Sequence, residues 1–222
     1  MDTLINIHYV NGLKIIGVNM KAVVVIGNNY SFNKDDFKDS YVIGVDRGAL
    51  LCLENNIKMN IAVGDFDSIS AEALDLLYKE TNVIKLNPIK DETDTFEALK
   101  YCNGYDEIII LGGITGKRIE HFYANLLLLE QNTKIKIKDD NSLIFTTDKG
   151  VIIPKNEYKY ISIFSLDDNT NISLQGFKYN LDYYNLKRIN SLGVSNEVSD
   201  LIGKITLHNG RIIILCSKDD NI

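Results

Sequence analysis

The stretch EIIILGGITGKRIEHFYANLLLLE, Glu107 to Glu130, decides how this chain folds. Ile108 to Leu111 are four apolar residues in a row, running straight into Gly112-Gly113. A continuous apolar run of that length suits a parallel strand covered on both faces. From Lys117 to Glu130 the apolar residues recur at helical spacing, which predicts a helix with Ile119, Phe122, Tyr123, Leu126 and Leu127 inward. Strand, glycine turn and helix make one unit of an α/β sheet.

The same grammar extends towards the N-terminus. AVVVIGN (Ala22 to Asn28), YVIGVD (Tyr41 to Asp46), NIAVGDFDS (Asn60 to Ser68) and VIKLN (Val83 to Asn87) read as strands. GALLCLENN begins a helix, and Ser70 caps a second one running to about Tyr78, with Ala71, Leu74, Leu77 and Tyr78 on one face. Thr93 to Cys102 forms a third, with Phe96, Leu99 and Cys102 inward, and KIKIKD (Lys134 to Asp139) closes the set. Repeated alternation of this kind implies a doubly wound, mainly parallel sheet.

Beyond about Asp140 the helical spacing disappears. SLIFTT, GVIIP, YISIFSL, NISLQGF, KITLH and RIIIL are short strand-like runs, and Asn209-Gly210 reads as a tight hairpin joining the last two. The expected organisation is α/β: a doubly wound domain over residues 20–139, then a small antiparallel β-sandwich over 140–222. Before it, LINIHYV and LKIIGV flank Asn11-Gly12 as a hairpin with a type I′ turn. Met20-Lys21 ahead of AVVV resembles the natural start of an α/β domain, which would make residues 1–19 an extension or a mis-assigned start.

Composition narrows the function. The 222 residues carry a net charge of −6, which disfavours a general nucleic-acid binder. Cys52, Cys102 and Cys216 are odd in number and scattered, as expected of thiols in a reducing cytoplasm. No apolar run approaches the ~20 residues of a membrane span. Only four of the 24 basic residues are arginine: Arg47, Arg118, Arg188 and Arg211.

Ligands of open α/β sheets bind beyond the carboxyl ends of the strands. The strand ends here carry Asp46-Arg47-Gly48, Asp65-Phe66-Asp67, Lys90-Asp91-Glu92-Thr93-Asp94, and Gly112-Gly113 leading to Arg118 and His121. Asp65 with Asp67, and Asp91 with Asp94, form two carboxylate pairs that would repel each other without a cation between them. Hard oxygen donors in that number suit Mg²⁺. Asp91 and Asp94 would equally complement a helix dipole. Asp75, Asp106, Asp139 and Asp140 read as solvated charges. Lys117 and Arg118 at a helix N-terminus oppose its dipole, a conflict that a bound anion would resolve. His121 follows on about the same face.

GDFDSI, KDETDTFEAL and LGGITGKRIEHFYANLLLL, in that order, closely resemble the thiamine pyrophosphokinase family, and GVSNE before the closing strands resembles its thiamine-binding β domain. The resemblance spans about Met20 to Cys216. It implies ATP:thiamine diphosphotransfer, giving thiamine diphosphate and AMP, in a homodimer whose sites lie between subunits. It further implies that Asp65, Asp67, Asp91 and Asp94 hold Mg²⁺ and form the catalytic set. Asp46, Arg47, Gly112, Gly113, Lys117, Arg118 and His121 would serve ATP, and Ser195 and Asn196 thiamine. The chain departs from the family pattern at Arg47, Lys117 and Glu120, and it has no Trp, so any aromatic wall for thiamine must be Phe or Tyr. The alternatives are a diphosphokinase for another hydroxymethyl heterocycle, such as a pterin, and a non-catalytic nucleotide- or thiamine-binding protein.

Overall fold

The computed structural model describes residues 6–10, 13–17, 20–27, 30–116 and 118–219. β1 (Asn6–Val10) and β2 (Leu13–Gly17) pair antiparallel with Val10 opposite Leu13, as a two-residue connection requires. The Asn11-Gly12 turn itself lies outside the described residues. The chain divides into two compact units, residues 1–111 and 112–222.

In the first unit, β3 (Lys21–Val25), β4 (Ser40–Val45), β5 (Ile61–Gly64), β6 (Asn82–Lys85) and β7 (Glu107–Leu111) are parallel, in the order β7-β3-β4-β5-β6. The order reverses beside β3, as in a doubly wound sheet. Ala22, Val23, Val24 and Val25 are all fully buried, which is why that strand is apolar without alternation. α1 (Arg47–Glu54) follows β4 and α2 (Ala71–Glu80) follows β5. Ser70 caps α2, its hydroxyl accepting from Ala73 N at 3.2 Å. Leu77 is the buried anchor of α2, whereas Tyr78, expected inward, is exposed. α3 (Asp94–Leu99) is shorter than expected, its last turn tightening into a 3₁₀ segment, Lys100–Cys102. Its fully inward residues are Thr95 and Ala98, with Phe96 and Leu99 half-buried. The core joins Val23, Val25, Val42, Ala49, Cys52, Ala62, Phe66 and Leu77.

The second unit begins with α4 (Ile119–Gln131) and continues through β8 (Ile135–Lys138), β9 (Ser142–Thr147), β10 (Val151–Pro154), β11 (Tyr160–Ser165), β12 (Thr170–Gln175), β13 (Leu181–Leu186), β14 (Ile202–Asn209) and β15 (Ile212–Ser217). One antiparallel layer runs β11-β15-β9-β8 and the other β10-β14-β12-β13. Ile161 and Ile163 from β11, Ile172 and Leu174 from β12, and Ile212 and Ile214 from β15 share one core, the arrangement of a small sandwich.

Four further local expectations change. α4 starts two residues later than predicted, and Ile119, Tyr123 and Leu127 on it are exposed, while Asn125, Leu128 and Leu129 are buried. The helix is apolar nearly all round, so spacing alone could not select its inward face. Asn209-Gly210 does not close a paired hairpin: β14 and β15 belong to different layers, and the turn, with Gly210 at φ 82°, carries the chain from one to the other. β13 was not expected, because its polar and aromatic residues show no clean alternation. Asp139 is buried rather than solvated, its Oδ1 accepting from Asn141 N at 3.0 Å and Ser142 N at 2.7 Å to shape the β8–β9 turn.

Candidate functional site

Three strand ends of the first unit build a carboxylate cluster. Asp46 follows β4 and occupies the N-cap position of α1 at φ 45°, ψ −118°, a conformation that non-glycine residues adopt at a cost of about 1–3 kcal/mol. Its backbone N–H donates to Val63 O at 3.0 Å, fastening it to β5. Two glycines make room for this geometry. A Cβ on Gly64 would stand 1.9 Å from Asp46 Oδ1, and one on Gly48 would stand 1.9 Å from Val25 O. Side chains are thus excluded both beside the carboxylate and where α1 approaches β3.

Asp65 follows β5. Its Oδ1 accepts from Asp67 N at 3.2 Å, and the intervening Phe66 turns inward at φ 55° and is buried. The Phe66 anchor leaves Asp65 half-buried and Asp67 exposed. Asp94 is the first residue of α3, whose cap Thr93 accepts from Phe96 N through Oγ1 at 3.2 Å. Asp91 is exposed and makes no hydrogen bond or ion pair among the described residues.

Lys90, absent from the sequence-derived set, lies among these groups. Its Nζ is 3.0 Å from Asp94 Oδ1 and 3.7 Å from Asp65 Oδ2, and it donates to Asn87 O at 3.3 Å. Asp94 Oδ1 is buried with no well-formed hydrogen bond, so this ion pair is its compensation. Burial, followed by the neighbouring Asp94, raises the Asp46 carboxyl from 3.8 to about 6, and Phe66 N–H and Lys90 only partly offset that. Partial burial opposes the Lys90 charge, but Asp94, Asp65 and Asp46 outweigh it and hold the ammonium above its ordinary range. Among the described residues no three acidic, imidazole or thiol groups stand ready to ligate a metal as placed. The donor chemistry nevertheless fits a hard cation, since the Asp65 and Asp94 carboxylates meet at a single ammonium and Asp94 Oδ1 is buried without a well-formed hydrogen bond.

The second unit carries the glycine segment and its helix. Gly112 and Gly113 have φ of 88° and 77°, and Gly112 N donates to Lys138 O at 2.8 Å. Buried Asn125, not singled out by sequence, donates through Nδ2 to Gly113 O at 3.2 Å and so fixes the turn from within α4. An Asn inside the apolar run FYANLLLL was the available signal. Arg118 occupies the N-cap position and donates from Nε to Glu120 Oε1 at 2.7 Å. Both side chains are exposed, and such pairs contribute little, so the guanidinium can exchange partners. His121 is exposed in the first turn of α4, Arg47 is exposed at the start of α1, and the structure does not describe Lys117.

GVSNE is fastened to β11. Ile163 N donates to Gly193 O at 2.9 Å, and Ile161 and Asn196 exchange backbone bonds of 2.7 and 3.1 Å. Ser195 sits at φ 54° with its N–H donating to Ser162 Oγ at 3.0 Å. Asn196 is buried. Its Oδ1 accepts from Tyr179 N at 3.0 Å and Glu197 N at 2.9 Å, and its Nδ2 donates to Tyr179 O at 2.8 Å. With its oxygen fully used inside the fold, Asn196 holds the loop that presents Ser195.

Comparison with known proteins places these segments in two adjacent matches. Residues 36–138 match the thiamin pyrophosphokinase catalytic domain, and residues 149–212 match the thiamin pyrophosphokinase vitamin B1 binding domain. The thiamine pyrophosphokinase of Bacillus subtilis is 33% identical over 186 residues, covering 80% of this chain and 87% of the relative. A crystal structure of thiamine pyrophosphokinase from Bacillus subtilis superposes with a TM-score of 0.82 at 29% identity, covering 90% of this chain and 99% of that one. The enzyme from Geobacillus thermodenitrificans gives 0.82 at 27% identity, over 91% and 99% of the two chains. Carboxylate cluster, glycine segment and GVSNE loop all fall within the matched regions, and the chain belongs to the thiamine pyrophosphokinase family.

Proposed function

We infer that this chain transfers the terminal diphosphate of ATP to the hydroxyl of thiamine, giving thiamine diphosphate and AMP. The observation that carries this reading is the pairing of a catalytic-domain match with a vitamin B1-binding match in one chain. That pairing also disfavours a pterin acceptor and a purely binding role.

The reaction requires the thiamine hydroxyl to attack the β-phosphorus in line with the departing AMP oxygen. Positioning and charge neutralisation supply most of such catalysis. Mg²⁺, when bound, would supply neutralisation of the phosphate charge. Asp65 and Asp94 would hold it, with Asp46 beside them and Asp67 and Asp91 reaching it from the exposed rim. Arg118, released from Glu120, and His121 would meet the nucleotide phosphates, joined by Arg47 and Lys117. The Gly112-Gly113 turn, held by Asn125, would let the backbone approach them. Ser195 would face the thiamine pyrimidine, on a loop that Asn196 keeps in place. Thiamine is a cation, so surplus carboxylate charge favours its capture.

Residues 20–139 and 140–222 would act as the ATP and thiamine domains of a homodimer with sites between subunits. Ile119, Tyr123 and Leu127 form an exposed apolar stripe that association could cover. No helix among the described residues is long and apolar enough to cross a membrane. The three buried free thiols suit a reducing compartment, the cytoplasm. Incubation with ATP, Mg²⁺ and thiamine should release AMP and thiamine diphosphate in equal amounts. AMP formed only with a pterin alcohol would transfer the reading to that acceptor, and AMP formed with neither would leave a binding protein.

A further inference from the structure

The proposed site leaves Lys90 unexplained. Its ammonium lies 3.0 Å from Asp94 Oδ1 and 3.7 Å from Asp65 Oδ2, and its side chain is only 17% exposed. Those two carboxylates are the ones best placed to take a divalent cation. A divalent cation and an ammonium cannot share that position without strong like-charge repulsion. Without either, the Asp65 and Asp94 carboxylates would lose their shared cation, and Asp94 Oδ1, buried with no well-formed hydrogen bond, would be left uncompensated. Lysine is suited to alternating between two partners, since it carries a compact charge on a flexible stem rather than a rigid fork.

We propose that Lys90 is a tethered stand-in for the metal: its ammonium neutralises the Asp65–Asp94 centre while no nucleotide is bound, and moves onto phosphate oxygens when metal and ATP arrive together. This rests on reading the site as one for a metal–nucleotide complex. Two consequences follow. The empty centre stays assembled without metal, and free metal binds weakly because it must displace Lys90. Nucleotide restores the balance by offering the displaced ammonium a new anionic partner, so metal and ATP bind cooperatively.

The test is Mn²⁺ titration of the nucleotide-free protein, followed by the paramagnetic resonance of free Mn²⁺. Lys90→Met should bind Mn²⁺ at least about ten-fold tighter than wild type, because the competing charge is gone, whereas Lys90→Arg should stay within about three-fold. Equal or weaker Mn²⁺ binding by Lys90→Met overturns the proposal. A second measurement does not depend on Lys90→Met folding. In wild-type protein with ¹³C-dimethylated lysines, the resonance missing from Lys90→Arg should shift with Mg²⁺ at the same midpoint as metal binding. If it stays fixed through saturation, the proposal fails. Wild-type AMP release from ATP and thiamine separates the two levels. If AMP forms while Mn²⁺ binding by Lys90→Met is unchanged, only the stand-in role falls; if no AMP forms, the underlying reading falls with it.

Discussion

Replacing Asp46 with Asn should stabilise the protein while impairing it. Burial and the nearby Asp94 raise the Asp46 carboxyl from 3.8 to about 6. That interval corresponds to about 3 kcal/mol of preference for the neutral form, and partial solvent access reduces the recoverable part to about 1–2 kcal/mol. Below pH 3.8 the carboxyl is protonated both folded and unfolded, and its charge costs nothing. Between 3.8 and about 6 the unfolded chain ionises first, so native stability falls as pH rises, and above about 6 the full penalty is present. Asn is nearly isosteric, keeps an acceptor for the 3.5 Å contact from Phe66 N–H, and fits beside Gly64 as Asp does. Melting measured in chelator at pH 7.5 should therefore rise by about 2–8 °C for a chain of this length, and the gain should vanish by about pH 4. Diphosphate transfer should fall by at least about ten-fold, since a charge facing the metal–nucleotide complex is lost. An Asp46→Asn protein no more stable than wild type at pH 7.5, or equally stabilised at both pH values, would refute the reasoning.

Other changes probe the same construction. Gly64→Ala places a methyl where only 1.9 Å separates it from Asp46 Oδ1, and should cost about 1–3 kcal/mol in denaturant unfolding along with most of the activity. Asn125→Ala leaves Gly113 O without its buried donor and should cost about 1–3 kcal/mol, with KM for ATP rising more than KM for thiamine. Asp67→Asn changes an exposed residue, so melting should move by less than about 0.5 kcal/mol equivalent while AMP formation drops sharply; unaltered turnover would remove Asp67 from the metal set.

Where burial is two-sided, the sequence could be read directly. Ile108 to Leu111 and Ala22 to Val25 are continuous apolar runs because neighbours on both sides of the strand are buried or partly buried, and a glycine follows each run within two residues. α4 was harder for the opposite reason. With apolar side chains on more than one side of α4, spacing does not select the inward face, and the buried contact from Asn125 to Gly113 O is one that no hydrophobic period records. β13 escaped because three of its six residues are exposed and its bulge against β12 breaks the two-residue repeat. The Asn209-Gly210 turn was legible as a turn, but which layer each flanking strand joins depends on pairings with β10 and β9, far away in sequence.

The carboxylates were legible because each ends a strand or opens a helix, where chain direction alone aims them at one edge of the sheet. Lys90 stands at the same strand end, but its role was not legible, since a lysine beside acidic residues reads as surface charge until its ammonium is seen between Asp65 and Asp94. Its placement also bears on why the cluster exists. A fold optimised for stability alone would not hold an aspartate at φ 45° beside two other carboxylates, nor reserve Gly64 to make space for it. Asn at position 46 would satisfy the same backbone and remove the repulsion. Strain, weakened acidity and an enforced glycine converge on one side chain, so the carboxylate charge itself must be what is kept. Inside the free protein that charge is a liability, only partly offset by Lys90; it becomes favourable when a cation of higher charge than an ammonium takes the centre.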